Sequence, residues 1–242
     1  MLATRSFKET KLRAFKYISW SLYTLAVRIN QAVPDFNAVS DVGRIRFHSW
    51  IGNNWAILFS HPQDFTGVCT TEMSAVTQMS KQWSERNTKV MGLSADCIDM
   101  HKNWKQDIEA LACQPAAFPI ISDQNFELAK MFGMLPEEAF KSDGSLRAQI
   151  RTVRTIFIIG PDKRLKLSMF YPSNVGRNWA EVLRALDALQ TAAKNSVAMP
   201  ANWELGEDVI VPSVISDEDA KIKFGKVKAI LPYVRSTKLP QK

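Results

Sequence analysis

Cysteine is scarce in this chain: three residues in 242, Cys69, Cys97 and Cys113, with no CxxC pair and no Cys/His quartet. That spacing excludes a secreted disulfide framework and a zinc site, and it suits a reducing compartment. Long apolar runs are missing too. No stretch approaches the roughly 18 residues a spanning helix requires, so no membrane span is expected. Internal repeats and low-complexity tracts are absent, which removes repeat architectures from consideration.

Acidic residues are almost lacking at the start. Arg5, Lys8, Lys11, Arg13, Lys16 and Arg28 stand against Glu9 alone, so residues 1–30 carry +5 of the formal +7 and the rest only +2. A nucleic-acid partner ordinarily needs a basic stripe on the folded domain. The nearly neutral body makes none expected. Residues 1–30 read as a basic N-terminal extension or a targeting leader. Phe15, Ile18, Leu22 and Leu25 recur at helical spacing, which suits a mitochondrial transit segment and equally a solvated extension. A secretory core over residues 17–27 is diluted by Ser19, Ser21 and Thr24 and lacks a small-residue cleavage site. The expected location is cytoplasmic, with mitochondrial as the close alternative.

What is present is an ordinary apolar fraction of 46%, enough for a buried core. AVPDFNAV and GRIRFHSW read as short strands or turns leading into WAILFS, a buried strand. Apolar positions Met73, Val76, Met79 and Trp83 predict a helix after it, with Cys69 in the first turn. TKVMGLSA then reads as a strand, CIDMHKNWKQDIEAL as a helix, FPIISD as a strand and NFELAKMFG as a helix. TVRTIFIIG and RLKLSMFY form a hairpin across PDK, and NWAEVLRALDALQTA closes as an amphipathic helix. This order predicts an α/β, thioredoxin-like fold with a mixed central sheet over residues 31–196. Residues 197–242, with prolines at 200, 212, 232 and 240, read as a small C-terminal module too short to hold a core alone.

The stretch HPQDFTGVCTTE, residues 61–72, carries the chemistry. A cysteine in the first turn of a helix faces unpaired N–H groups and the positive end of the helix dipole, which stabilise its thiolate. Thr66 can direct its hydroxyl to the same space, and Pro62 stiffens the loop. The alternative, a packed core cysteine, fits poorly with the polar run Thr70, Thr71, Glu72.

Pro62, Thr66 and Cys69 spell PxxxTxxC, which resembles the active-site signature of peroxiredoxins. With FPIISD, FGML, GPDKRLKLSMFYP, GRNW and VPSVISDEDAKIKF, roughly residues 33–235 resemble the one-cysteine, peroxiredoxin-6-type branch. The resemblance implies a thiol peroxidase acting on hydrogen peroxide and organic hydroperoxides. Cys69 is then the peroxidatic cysteine and Arg154 the arginine that faces it, with Thr66 and Pro62 in the surrounding loop. His61, Glu72 and Arg177 are supporting residues, each with a purely structural alternative: a hydrogen-bonded histidine, a favourable first-turn acid and a surface arginine at a helix entry. No metal or haem is implied. Since no cysteine follows Cys113, the resemblance implies an external thiol reductant, glutathione or similar, and a homodimer. Cys97 and Cys113 are expected to be packed, structural thiols. The rival reading is a redox-sensing or chaperone-like protein switched by oxidation of Cys69.

Two departures stand out. Branch members that hydrolyse phospholipids use a serine, a histidine and an aspartate; His48 and Asp162 match two of these, but Asn54 occupies the serine position, so such activity is expected to be weak or absent. Gly67 stands where the branch commonly has proline, which widens the φ/ψ range two residues before the nucleophile.

Overall fold

Both faces of WAILFS are apolar because both are covered. The computed structural model describes residues 26–239, so most of the leader lies outside it. In β3 (Trp55–Ser60), Ala56 and Leu58 enter one core cluster while Ile57 and Phe59 enter the other. The same split recurs in β4 (Thr88–Ser94) and β6 (Arg154–Ile159), as the period of two dictates for strands buried on both sides.

Seven strands form the main sheet in the order β2-β1-β5-β4-β3-β6-β7, with β1 at Asn37–Ser40, β2 at Gly43–Arg46, β5 at Ile120–Ser122 and β7 at Leu165–Tyr171. Strands β3, β4 and β5 are parallel, whereas β6 runs antiparallel to β3 and β7 antiparallel to β6. This is the mixed thioredoxin-like sheet that the sequence predicts. One face packs α1 (Phe47–Ile51) and α5 (Glu127–Met131) through Phe47, Ile51, Leu128 and Ala129. The other packs α2 (Gly67–Gln78), α4 (Ile98–Ala112) and α6 (Trp179–Asn195) through Met73, Val76, Trp104, Ile108, Val182 and Leu186.

The helix predicted after Cys69 is divided. α2 ends at Gln78, Met79 caps it, and a separate α3 (Ser80–Glu85) turns Trp83 back so that its indole donates to the Val76 carbonyl at 3.1 Å. Continuous periodicity concealed that break.

Towards the C-terminus, β8 (Val209–Ile210), β10 (Val234–Thr237) and β9 (Lys228–Leu231) form a three-stranded sheet in the order β8-β10-β9, with α7 at Asp217–Phe224. Its small core, Val197, Trp203 and Val209, borrows Ala188 of α6. Arg184 on the same helix donates to the Trp203 carbonyl at 2.8 Å.

Candidate active site

The loop after β3 and the first residue of β6 meet because those strands pair. Phe59 lies opposite Ile156 in the antiparallel register, so the ends carrying His61 and Arg154 run out side by side. Thr66 is extended and caps α2, and Cys69 is its third helical residue.

Arg154 links both segments. Its Nη1 donates to Cys69 Sγ at 3.2 Å and to Glu72 Oε2 at 2.7 Å, while Nε and Nη2 both donate to the Ser173 carbonyl. Glu72, one turn after Cys69, also accepts from the Arg177 backbone N–H, Nε and Nη2 at 2.7–2.8 Å. Arg177 Nη1 donates to the carbonyls of Ser60 and Thr155, and its guanidinium lies over the rings of Phe59 and Trp179. Burial alone would raise the Glu72 pKa; the hydrogen bonds and charge of Arg177, with Arg154, hold it below its ordinary value.

Arg177 is therefore buried and not a surface residue at a helix entry. It meets Glu72 and has no hydrogen bond to Cys69. Cys69 departs from expectation in the other direction. It is fully buried within the apolar cluster of Phe59, Met73 and Trp179, despite its polar neighbours in sequence. Those neighbours point elsewhere: the hydroxyls of Thr70 and Thr71 bond to backbone carbonyls of Thr66 and Val68. Thr66 Oγ1 donates to the Gln63 carbonyl at 3.0 Å, which leaves its oxygen free to accept. Pro62 is half-buried and, with Gln63, Asp96, Arg147 and Arg151, lines a cleft of about 430 Å³.

His61 is completely buried and hydrogen-bonded, with Nε2 at 2.7 Å from Asp64 Oδ1. His101 Nδ1, from α4, meets Asp64 Oδ2 at 2.6 Å. Burial pushes the His61 pKa down. For Asp64, burial acts upwards, but the bonds from His101 and His61 prevail and hold it at about 2. Neither Asp64 nor His101 was singled out in the sequence, although Asp64 lies inside the quoted loop and His101 on the apolar face of a predicted helix. His61, Asp64 and Asp96 also bring ligand-type atoms within 4.8 Å of one another, but Asp96 Oδ2 already accepts from the Asp64 N–H and Ser94 Oγ. The grouping is a hydrogen-bond network.

Cys97 caps α4 at its N-terminus and is partly exposed; Cys113 ends it in a left-handed conformation and is exposed, not packed. No hydrogen bond joins the three ester-hydrolysis positions among the described residues. His48 Nε2 bonds to the Val33 carbonyl, Asn54 Nδ2 to the Ile51 carbonyl, and Asp162 Oδ2 pairs with Lys166 at 2.5 Å.

Comparisons with known proteins converge. Residues 29–168 match the AhpC/TSA family, and residues 188–226 match the C-terminal domain of 1-Cys peroxiredoxin. The mitochondrial peroxiredoxin PRX1 of Saccharomyces cerevisiae is 45% identical over 215 residues, covering 88% of this chain and 81% of the relative. Peroxiredoxin 6 of Arenicola marina, solved as a cysteine-to-serine mutant, superposes with a TM-score of 0.83 at 39% identity, covering 90% of this chain and all of its own. The yeast mitochondrial 1-Cys peroxiredoxin, solved to explain thiol resolution via glutathione/thioredoxin systems, gives 0.79 at 44% identity, covering 88% and 99%. A thioredoxin-like sheet, a cysteine in the first turn of α2 and these relatives together place the chain in the peroxiredoxin family, in its one-cysteine branch, as a thiol peroxidase.

Proposed function

We propose that Cys69 is the peroxidatic cysteine and that Arg154, Thr66 and the Pro62 loop form its peroxide site. The observation that carries this is the 3.2 Å contact between Arg154 Nη1 and Cys69 Sγ, made at a helix N-terminus. A guanidinium and the N–H groups of a helix start beside sulfur place donors and positive charge where the peroxide must bind. The thiolate attacks one peroxide oxygen, the O–O bond breaks, and its electron pair leaves on the other oxygen, which takes a proton and departs as water or an alcohol. The Thr66 oxygen accepts the peroxide O–H, while Arg154 and the first-turn N–H groups donate to the peroxide and to the charge moving onto the leaving oxygen. Glu72 and Arg177 act by fixing Arg154.

Sulfur has then lost two electrons and is a sulfenic acid. With no cysteine after Cys113, an external thiol displaces water from it to form a mixed disulfide, and a second thiol releases Cys69. Glutathione is the candidate, because the yeast relative is described with glutathione/thioredoxin systems and the cleft beside Pro62 offers Arg147 and Arg151 to carboxylates. Since Cys69 is fully buried, this step requires the first turn of α2 to open.

A homodimer is supported by β7, an edge strand paired outward at Leu165 by Asn30 and Gln31 and exposing Phe170 further along, and by Ile230, Leu231 and Tyr233, exposed around β9. We assign residues 31–196 to the catalytic unit and 197–242 to the dependent module. The mitochondrial reading of the leader gains support from the yeast relative's name. Steady peroxide consumption with glutathione, lost in Cys69→Ser, tests the assignment; activity retained in that variant overturns it. A one-time oxidation without turnover would favour the sensor reading.

A further inference from the structure

We propose that Asp64 and His101 are positioning residues for peroxide reduction, holding the Pro62–Thr66 loop over Cys69 from helix α4. The inference rests on Cys69 being the peroxidatic residue.

Asp64 is buried, and both its carboxylate oxygens and its backbone N–H are committed. One carboxylate oxygen takes the His61 ring, the other takes the His101 ring, and its backbone N–H goes to Asp96, which is itself held by Ser94 at the end of β4. A carboxylate that is ionised at neutral pH can only accept, so both imidazoles donate to it. Their remaining nitrogens, His61 Nδ1 and His101 Nε2, are buried without a hydrogen-bond partner among the described residues. Fold stability alone gives no reason to bury two such nitrogens, since apolar residues of similar volume would leave nothing unpaired.

The next residue shows what the network holds. Phe65 has φ of +54°, a left-handed conformation that non-glycine residues rarely adopt. Such strain persists where the surroundings over-determine it. On one side Asp64 is fixed at three points; on the other Thr66 enters α2 and its hydroxyl is tied to Gln63. The same helix supplies a second brace three residues on. Trp104 Nε1 donates to Thr70 Oγ1 at 3.1 Å, in the turn that carries Cys69, and its ring lies 5.0 Å from that of His61. α4 thus grips the loop through His101 and the nucleophile's turn through Trp104.

The Arg154–Glu72–Arg177 arrangement shares no hydrogen bond with this network. Loss of His101 should displace the loop that receives peroxide while leaving the sulfur's own charge partner in place.

The test compares His101→Leu, His101→Asn and Asp64→Asn in the full chain. Asparagine puts an amide N–H near the position of Nδ1–H and retains the bond; leucine cannot donate. Two rates are read for each: oxidation of Cys69 by hydrogen peroxide and alkylation of Cys69 by iodoacetamide. The expected result is a loss of about tenfold or more in oxidation for His101→Leu and Asp64→Asn, because small misplacements cost that much. Alkylation should not slow, and His101→Asn should recover most of the oxidation rate. Wild-type oxidation in His101→Leu, or in Asp64→Asn should the leucine variant not fold, overturns the inference. So does a parallel slowing of both reactions. If wild-type Cys69 is itself inert to peroxide, the peroxidatic assignment fails instead.

Discussion

Arg154 Nη1 stands 3.2 Å from Cys69 Sγ although 85 residues separate them in sequence, and the same nitrogen is 2.7 Å from Glu72. A lysine cannot reproduce this, since one ammonium cannot hold sulfur, carboxylate and the Ser173 carbonyl in a fixed plane. Arg154→Lys should lower the rate of Cys69 oxidation about a hundredfold, the usual cost of losing a preorganised donor. Stopped-flow measurement of Cys69 oxidation checks this, and a change below about threefold would contradict it.

Glu72 is buried between two arginines. Glu72→Ala leaves two guanidiniums without a counter-charge and should cost about 3–5 kcal/mol. Urea unfolding measures it; a loss under about 1 kcal/mol, the value of a surface pair, would contradict a buried structural role.

Acid should destabilise the protein in two stages. Burial lowers the His61 pKa from 6.5, so the unfolded chain takes up a proton there that the folded one refuses. Stability is therefore full above about pH 6.5 and begins to fall below it. Asp64, held at about 2 against 3.8, and Glu72, held below 4.5, lose their contributions as pH falls further, from about 4 towards 2. Asp64 alone accounts for roughly 2 kcal/mol. Urea midpoints at about pH 7.5, 5.5 and 3 should decrease in that order; a flat series would refute the linkage.

Gly67 is the first residue of α2, its φ is not positive, and a Cβ placed there meets nothing within 4 Å. Proline is favoured at that position because the N–H it lacks has no partner within the helix. Gly67→Pro should raise stability by about 0.4–1 kcal/mol, mainly through the unfolded chain. A lower thermal midpoint would contradict this.

Phospholipid ester hydrolysis should be absent, and Asn54→Ser should not create it. His48 donates to the Val33 carbonyl, Asp162 pairs with Lys166, and neither is hydrogen-bonded to Asn54, so a serine alone gains no partnered base. A fluorogenic phospholipid assay of both proteins decides the matter.

The parallel core strands and the long closing helix were legible in the sequence because WAILFS and TKVMGLSA are short, largely apolar runs and NWAEVLRALDALQTA repeats at helical spacing. Cys69, Arg154 and Glu72 were legible through family resemblance, and their meeting follows from β3–β6 pairing. The break at Met79 was not legible, since both sides of it continue one apolar stripe. Nor was the burial of Cys69: threonine hydroxyls that bond to their own helix's carbonyls look polar in sequence and leave sulfur among apolar side chains. His101 was hidden because a buried histidine and a surface one are written alike, and the Ser173 contact is to backbone.

The proposed function requires Cys69 alone to carry peroxide chemistry. Mass spectrometry after one equivalent of hydrogen peroxide tests it most directly, on the wild type and on Cys69→Ser, Cys97→Ser and Cys113→Ser. The expected result is one added oxygen on Cys69, removed by glutathione, with peroxide consumption lost only in Cys69→Ser. Oxygen found instead on Cys97 or Cys113, or peroxide consumption surviving in Cys69→Ser, would contradict the account.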